Sequence, residues 1–153
     1  MGMDLTGLSP KSKRGESFRN NWWYWRPTWN LVYNQCRDLL SEKDYEHGCH
    51  NDDFKITAQQ AERIATRLLA LCANGKVLDI EREYKRSLDA LPDEICDICG
   101  GTGRRTDMIV VDGCNKCKGK KTVRPSATYY TLNAENVLEF AEFCADSGGF
   151  TFG

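Results

Sequence analysis

Four cysteines in two closely spaced pairs constrain the fold of this chain more than any other feature. The pairs are Cys96-Asp-Ile-Cys99 and Cys114-Asn-Lys-Cys117, and fourteen residues separate them. Two residues between thiolates let both sulfurs of one turn face the same point, and two such turns complete a tetrahedron. The spacing therefore predicts one structural zinc ion bound by all four cysteines. A catalytic zinc is not expected, because four protein ligands leave no open position for water.

The cellular compartment decides whether these cysteines bind metal or form disulfides. The first residues lack the apolar stretch of a signal peptide, and no apolar run reaches the roughly 18 residues of a membrane span. We therefore expect a cytoplasmic protein without a membrane partner, whose eight cysteines stay reduced and favour metal over disulfides.

Basic side chains cluster around the two cysteine pairs. They are Arg104, Arg105, Lys116, Lys118, Lys120 and Lys121. A zinc ion with four thiolates carries about two negative charges, and we favour the interpretation that these side chains offset that charge. The alternative is nucleic-acid binding, which the formal net charge of −1 does not support.

Hydrophobic periodicity outside the cysteine segment predicts an α+β fold, helix-rich, with short strands and the cysteine module inserted before the last helix. The clearest helix follows Thr57, which forms a capping box with Gln60, and it ends before Gly75. Asn133 is the expected N-cap of the last helix, which Gly148 and Gly149 end.

The remaining elements and the domain organisation follow from the same patterns. We predict an extended segment at 18–25, a helix with Pro27 in its first turn that runs towards Gly48, a helix at 77–91, and strands at 108–111, 129–132 and 150–152. The expected organisation is an aromatic arm plus three helices at 1–92, a zinc module at 93–125, and a strand–helix–strand segment at 126–153 that returns to the main core.

An aromatic block holds all four tryptophans between Trp22 and Trp29, interleaved with arginine and asparagine. Rings stack on bases, amides hydrogen-bond to base edges and guanidinium groups bind phosphate, so the block suits a nucleotide-like ligand. The candidate ligand-binding residues are Arg19, Asn20, Asn21, Trp22, Trp23, Trp25 and Arg26. The alternative is that most of these rings form the core of a small domain, with the arginine heads in solvent.

The sequence contains no motif that indicates catalysis. A Gly-rich phosphate loop, Gly-x-Ser-x-Gly and His-Glu-x-x-His are all missing. Both histidines, His47 and His50, lie in one polar segment. We favour a loop between helices for this segment, while a second metal site or a general base beside a carboxylate is the alternative. These observations favour a binding protein over an enzyme.

The cysteine segment resembles a known motif. Cys96-Asp-Ile-Cys99-Gly-Gly-Thr-Gly103 is similar to the CxxCxGxG repeat of the DnaJ chaperone zinc region, and Cys114-Asn-Lys-Cys117-Lys-Gly119 is similar to a second copy with Lys121 in place of the last glycine. The resemblance covers residues 96–121 alone. It implies the metal site but no co-chaperone function, because the chain has two repeats rather than four and no His-Pro-Asp signature.

A second resemblance covers nearly the whole chain and concerns small, uncharacterised proteins of tailed bacteriophages and prophages. It rests on Gly2-Met3-Asp4, Arg19-Asn20-Asn21-Trp22, Arg26-Pro27, Asn51-Asp52, Glu135-Asn136-Val137, Phe140 and Ser147-Gly148-Gly149-Phe150. It implies an accessory phage protein in the host bacterial cytoplasm that binds and disarms a host component. Two functions fit this expectation: sequestration of a nucleotide-derived immune signal by the aromatic block, which we favour, or inhibition of a host protein by a zinc-braced interaction module. Nucleic-acid binding comes third.

Overall fold

The fold combines helices with a small antiparallel sheet. The computed structural model describes residues 2–105, 107 and 113–153. Its helices are α1 (Trp22–Gln35), α2 (Glu42–Gly48), α3 (Ala58–Ala73), α4 (Lys76–Asp89) and α5 (Ala134–Ser147). Its strands are β1 (Gly2–Gly7), β2 (Ser17–Asn21), β3 (Phe54–Ile56), β4 (Glu94–Ile95), β5 (Thr122–Val123) and β6 (Phe150–Phe152), and 3-10 turns occupy Lys13–Gly15 and Ser126–Tyr129. The predicted α+β class with a cysteine module is confirmed.

The described chain divides into two compact units. The first comprises residues 1–85 and 130–153, and the second comprises residues 86–129. The first unit contains a four-stranded sheet in the order β2-β1-β6-β3, in which Leu5 of β1 pairs with Phe18 on one side and Phe152 on the other. The second unit contains the four cysteines and the antiparallel pair β4 and β5.

Aromatic rings form the centre of the first unit. Trp25 and Trp29 lie one turn apart on α1, are at most 1% exposed, and stack with ring centroids 5.5 Å apart. Phe152 of β6 packs edge-on against both rings, and Phe140 of α5 packs edge-on against Trp25. Two of the four tryptophans therefore belong to the core.

Both buried indoles also fix α2 on α1. Nε1 of Trp25 donates to the carbonyl oxygen of Gly48 at 2.7 Å, and Nε1 of Trp29 donates to that of Tyr45 at 3.0 Å. A Cβ atom at Gly48 would lie 2.2 Å from the Trp29 ring, so only glycine fits beneath it. The position of the loop that follows α2 therefore depends on this contact.

Several predicted helix boundaries are confirmed. Thr57 and Gln60 form the capping box of α3, with N···O distances of 3.0 and 3.2 Å. Asn133 caps α5 by accepting from the N–H of Asn136 at 2.8 Å, and Gly148 ends α5 in the left-handed conformation with φ of 63°. The terminal strand β6 is present as predicted, and α4 covers 76–89 where 77–91 was expected.

The aromatic block differs from the prediction, because residues 22–25 of the predicted extended segment 18–25 belong to α1. The side chain of Asn21 accepts from the N–H of Tyr24 at 3.0 Å and so begins α1 at Trp22. Pro27 consequently lies inside α1 and not in its first turn. The single helix predicted to run towards Gly48 is two helices, since a Ser41–Asp44 capping box begins α2.

Residues 129–132 also differ from the prediction. They do not form a strand: a 3-10 turn at Ser126–Tyr129 is followed by irregular chain. The strand predicted at 108–111 lies outside the described residues. In the part of the chain that the structure describes, every helix is too short or too polar to span a bilayer.

Candidate functional sites

The four cysteines of the second unit converge on one point. All four are buried, and their Sγ atoms lie within 4.8 Å of one another. The Cys96–Cys114 and Cys99–Cys117 sulfur pairs are each 3.8 Å apart. A tetrahedral site with metal–sulfur bonds of about 2.3 Å has edges of about 3.8 Å, whereas a disulfide would join two sulfurs at about 2.05 Å. The predicted ligand set can therefore hold a metal ion.

The two cysteine turns have the same backbone conformation. The matching φ angles are 59° and 53° at Gly100 and Lys118, 83° and 81° at Gly101 and Gly119, and 79° and 71° at Gly103 and Lys121. Lysine thus adopts, at two positions of the second turn, a left-handed conformation that normally favours glycine. The second turn keeps the geometry of the first even where Lys121 replaces the last glycine of the motif.

Backbone N–H groups favour the thiolate form at two of the four ligands. Burial raises the pKa of Cys99, but backbone hydrogen bonds, including one from the N–H of Gly103 at 3.3 Å, lower it to about 6. The N–H of Cys117 is the largest of the effects that lower the pKa of Cys114, while burial raises that of Cys96. Since the thiolate is the metal-binding form, these turns are arranged for metal binding.

The basic side chains near the cysteines divide into two sets. Arg105 forms an ion pair with Asp107, and Lys116 forms one with Asp97 at 2.5 Å. The others form no ion pair with any described residue: Arg104, Lys118, Lys120 and Lys121. The positive charges of the second set are therefore not neutralised by ion pairs with described carboxylates.

A second candidate site lies in the first unit and is built on α1. Trp22 and Arg26 are one turn apart and share a helix face. The guanidinium carbon of Arg26 is 5.3 Å from the centroid of the Trp22 ring and 5.5 Å from that of Tyr130. Nη1 of Arg26 donates to Oη of Tyr130 at 3.1 Å, and the Tyr130 ring also contacts Trp23 with centroids 4.9 Å apart. Two rings, those of Trp22 and Tyr130, therefore lie against one guanidinium group, and the Trp23 ring packs on the second of them.

Pro27 explains why Tyr130 lies beside α1. A residue at this position would normally donate its N–H to the carbonyl of Trp23, but proline has no N–H. The Trp23 carbonyl instead accepts from the N–H of Thr131 at 3.0 Å. The proline inside the helix thus anchors the segment that contains Tyr130.

These residues line a cleft of about 540 Å³. Its lining residues are Gly2, Trp22, Trp23, Arg26, Cys49, His50, Asn51 and Tyr130. The volume falls within the range of about 300–1,000 Å³ that is usual for small-molecule sites. Trp23 is 46% exposed, and Arg26 is exposed and forms no ion pair with any described carboxylate. The cleft therefore combines ring surface with one cation that lacks a described counter-ion.

Four of the seven predicted ligand-binding residues have structural roles instead. Trp25 is fully buried in the core. Asn20 is 6% exposed and donates to Oδ1 of Asn136 at 2.8 Å, while Asn136 donates to Oγ1 of Thr28 at 2.9 Å. This amide network ties β2 and α1 to α5, so Asn20 is not available to a ligand.

The other two residues do not line the cleft, and each has a partner elsewhere. Asn21 is the N-cap of α1. Arg19 pairs with Asp4 across β1 and β2 at 3.0 Å, with 83% of its side chain exposed. Only Trp22, Trp23 and Arg26 of the predicted set line the cleft.

The remaining lining residues come from distant segments that sequence reasoning did not connect with the aromatic block. Tyr130 was predicted to lie in a strand, and Cys49, His50 and Asn51 belong to the polar loop. Only composition could have indicated these residues from the sequence. An aromatic pair at 129–130 and a His-Asn pair at 50–51 lie outside the regular helical patterns.

The two histidines have separate partners. Nδ1 of His50 is 2.9 Å from the carbonyl oxygen of Glu46, and because a carbonyl only accepts, Nδ1 is the donor. Nε2 of a neutral His50 ring is then an acceptor. Nδ1 of His47 is 2.9 Å from Asp52, and the His47 ring stacks on Phe54. Among the described residues, only the four cysteines form a group of three or more potential metal ligands.

Comparisons with protein-family models, with curated proteins and with solved structures find no match to this chain. The functional conclusion therefore rests on the cysteine cluster and on the cleft.

Proposed function

We propose that this protein binds a nucleotide-like small molecule in the cleft on α1 and does not transform it. The observation that carries the proposal is Arg26, which is held by two rings and has no ion-pair partner among the described residues. A guanidinium group has five N–H donors, and one of them bonds to Tyr130. The others are suited to a phosphate, which matches the planar fork of arginine.

The rest of the lining suits a base. The exposed ring of Trp23 offers a stacking surface, and stacking on an aromatic ring contributes about 1–3 kcal/mol per base. The Nε2 acceptor of His50 and the amide of Asn51 are complementary to the amino and carbonyl groups at a base edge. Cys49 and His50 both line the cleft, but burial raises the pKa of the Cys49 thiol and so disfavours the thiolate that a cysteine nucleophile requires, which supports binding rather than turnover.

We also propose that the cysteine cluster holds one zinc ion with a structural role. Tetrahedral sulfur sites suit zinc or iron, and four buried sulfurs leave no position for a substrate. Elemental analysis of protein purified under reducing conditions should find about one zinc per chain. Iron in place of zinc, seen also as visible absorption, would contradict this assignment.

The biological setting is a proposal that follows from the phage resemblance. In an infected bacterium, the cleft would sequester a nucleotide-derived immune signal of the host. The alternative is docking on a host protein, and the exposure of two isoleucines in the second unit favours it: Ile95 is 71% exposed and Ile98 is 47% exposed.

A fluorescence titration tests the binding proposal. Cyclic mononucleotides, cyclic dinucleotides and adenine dinucleotides should quench tryptophan emission, because Trp22 and Trp23 line the cleft. Arg26→Ala should weaken binding about 10- to 100-fold, since a hydrogen bond to a charged group is worth about 1.5–3 kcal/mol. Arg19→Ala is the matched control, because Arg19 is exposed and paired with Asp4 outside the cleft.

Two outcomes would overturn the binding proposal. One is a panel in which no nucleotide alters either the fluorescence or the melting temperature. The other is equal loss of binding in the Arg19 and Arg26 variants. Retention of a host protein by the wild type but not by an Ile95→Lys variant would then favour the docking function.

A further inference from the structure

The described lining of the cleft contains a single permanently charged side chain. Among the described residues that line it, Arg26 alone carries a permanent charge. Residues 46–53 supply three of the other lining residues, and this segment contains three carboxylates and no lysine or arginine. The carboxylates are those of Glu46, Asp52 and Asp53.

One of these carboxylates, that of Glu46, acts on a lining residue of the cleft. Burial is the main cause that raises the pKa of the Cys49 thiol, and two charges modify it further: Arg26 lowers it and Glu46 raises it. Both charges are therefore within electrostatic reach of one lining residue. Asp52 lies in the same segment, and its ion-pair partner among the described residues is His47, whose charge is not permanent.

We infer that the ligand carries one negative charge beside its base, as a cyclic mononucleotide phosphodiester does, and that polyphosphate nucleotides are disfavoured. This inference rests on the proposed function of the cleft. A single phosphodiester can accept hydrogen bonds from the free N–H donors of Arg26. Its one negative charge is then balanced by the arginine, and the ligand carries no further charge that needs a counter-ion. Each additional phosphate of a di- or triphosphate would lack a counter-ion in the described lining, and the Glu46 carboxylate, which acts on the lining residue Cys49, would disfavour further negative charge there.

The arginine geometry points the same way. The Trp22 and Tyr130 rings lie within 5.5 Å of the guanidinium carbon, so the group is oriented before a ligand arrives. An oriented guanidinium binds two oxygens of one phosphate in parallel, whereas a polyphosphate chain is normally bound by several cations or by a metal ion.

Isothermal titration of the full chain with three adenine ligands tests this inference. The ligands are adenosine, 3′,5′-cyclic AMP and ATP, without magnesium and at one ionic strength. We expect the cyclic nucleotide to bind at least about tenfold more tightly than adenosine, which lacks the phosphate that contacts Arg26, and at least about tenfold more tightly than ATP, whose further charges have no counter-ion in the described lining. Equal or tighter binding of ATP would overturn the inference and leave the proposed function standing. Absence of binding by all three would overturn the inference, and absence of binding by the whole nucleotide panel would overturn the proposed function as well.

A charge variant provides the second arm. Asn51→Lys places another cation in the lining and should raise the ATP affinity relative to the cyclic AMP affinity about two- to fivefold, the range for one exposed ion pair. Gln59→Lys adds the same charge at an exposed position of α3 outside the lining, and is the matched control. An unchanged affinity ratio in Asn51→Lys would contradict the inference, because the preference would then not depend on charge.

Discussion

Replacing Gly48 by alanine tests how the aromatic core positions the loop of the cleft. The new Cβ would lie 2.2 Å from Cε2 and Nε1 of Trp29, where an ordinary contact is about 3.4–4 Å. The Trp29 ring therefore has to move by about 1 Å. It is 1% exposed, stacked on Trp25 and packed edge-on against Phe152, so a movement disturbs three side chains.

The expected cost of Gly48→Ala follows from opposing contributions. Overpacking of a core costs about 1–3 kcal/mol, and loss of the hydrogen bond from Trp29 to the Tyr45 carbonyl costs about 1 kcal/mol. Alanine in place of glycine at the end of α2 returns at most about 1 kcal/mol of helix propensity. The free energy of unfolding should therefore fall by about 1–3 kcal/mol.

Urea denaturation of metal-loaded protein, followed by tryptophan fluorescence, measures this change. The midpoint should fall at an unchanged slope, and the melting temperature should drop by about 2–12 °C for a chain of this length. Gln59→Ala, on the exposed surface of α3, should change stability by no more than about 0.5 kcal/mol. Wild-type or higher stability of Gly48→Ala would refute the packing argument, because propensity alone predicts stabilisation.

Three further predictions concern other parts of the chain. Thr57→Ala removes the N-cap of α3 and should cost about 1 kcal/mol in a denaturation experiment, and an unchanged midpoint would contradict the cap. Cys99→Ser should release the metal, measured by elemental analysis, and expose residues 86–129 to protease, since metal binding and folding of such modules are coupled; full metal retention would refute the ligand assignment. A hydrogen bond from Arg67 is the main cause that lowers the pKa of Asp38, to about 2. This pair therefore stabilises the folded state above the ordinary carboxyl pKa of about 4, and the effect is lost as the pH falls towards 2. The difference in melting temperature between the wild type and Arg67→Leu should shrink as the pH falls over that interval. A constant difference would contradict this role of the Arg67–Asp38 pair.

Local signals explain the parts of this fold that the sequence predicts well. A capping box such as that of Thr57 and Gln60, or a left-handed glycine such as Gly148, acts within a few residues, so its effect can be inferred without tertiary structure. The cysteine spacing is similarly informative, because each pair needs only one turn to present its sulfurs.

The cleft could be predicted only in part, because distant residues build it. Whether the aromatic block is a strand or a helix depends on the cap made by Asn21, and asparagine is compatible with both a cap and an extended chain. Which rings are buried depends on where α2 and α5 pack against Trp25 and Trp29. Tyr130 joins the cleft through a hydrogen bond from Thr131 that compensates for Pro27, a relation that no local pattern reveals.

The affinity of cyclic AMP for an Arg26→Lys variant, measured by isothermal titration beside the wild type, tests the central claim most directly. Lysine keeps the positive charge but loses the planar fork and the ring-stacked orientation. The proposed binding predicts a Kd for the variant at least about tenfold weaker than that of the wild type, with the melting temperature of the unliganded protein nearly unchanged because Arg26 is exposed. Wild-type affinity in Arg26→Lys, or a wild type that binds no nucleotide of the panel, would contradict it.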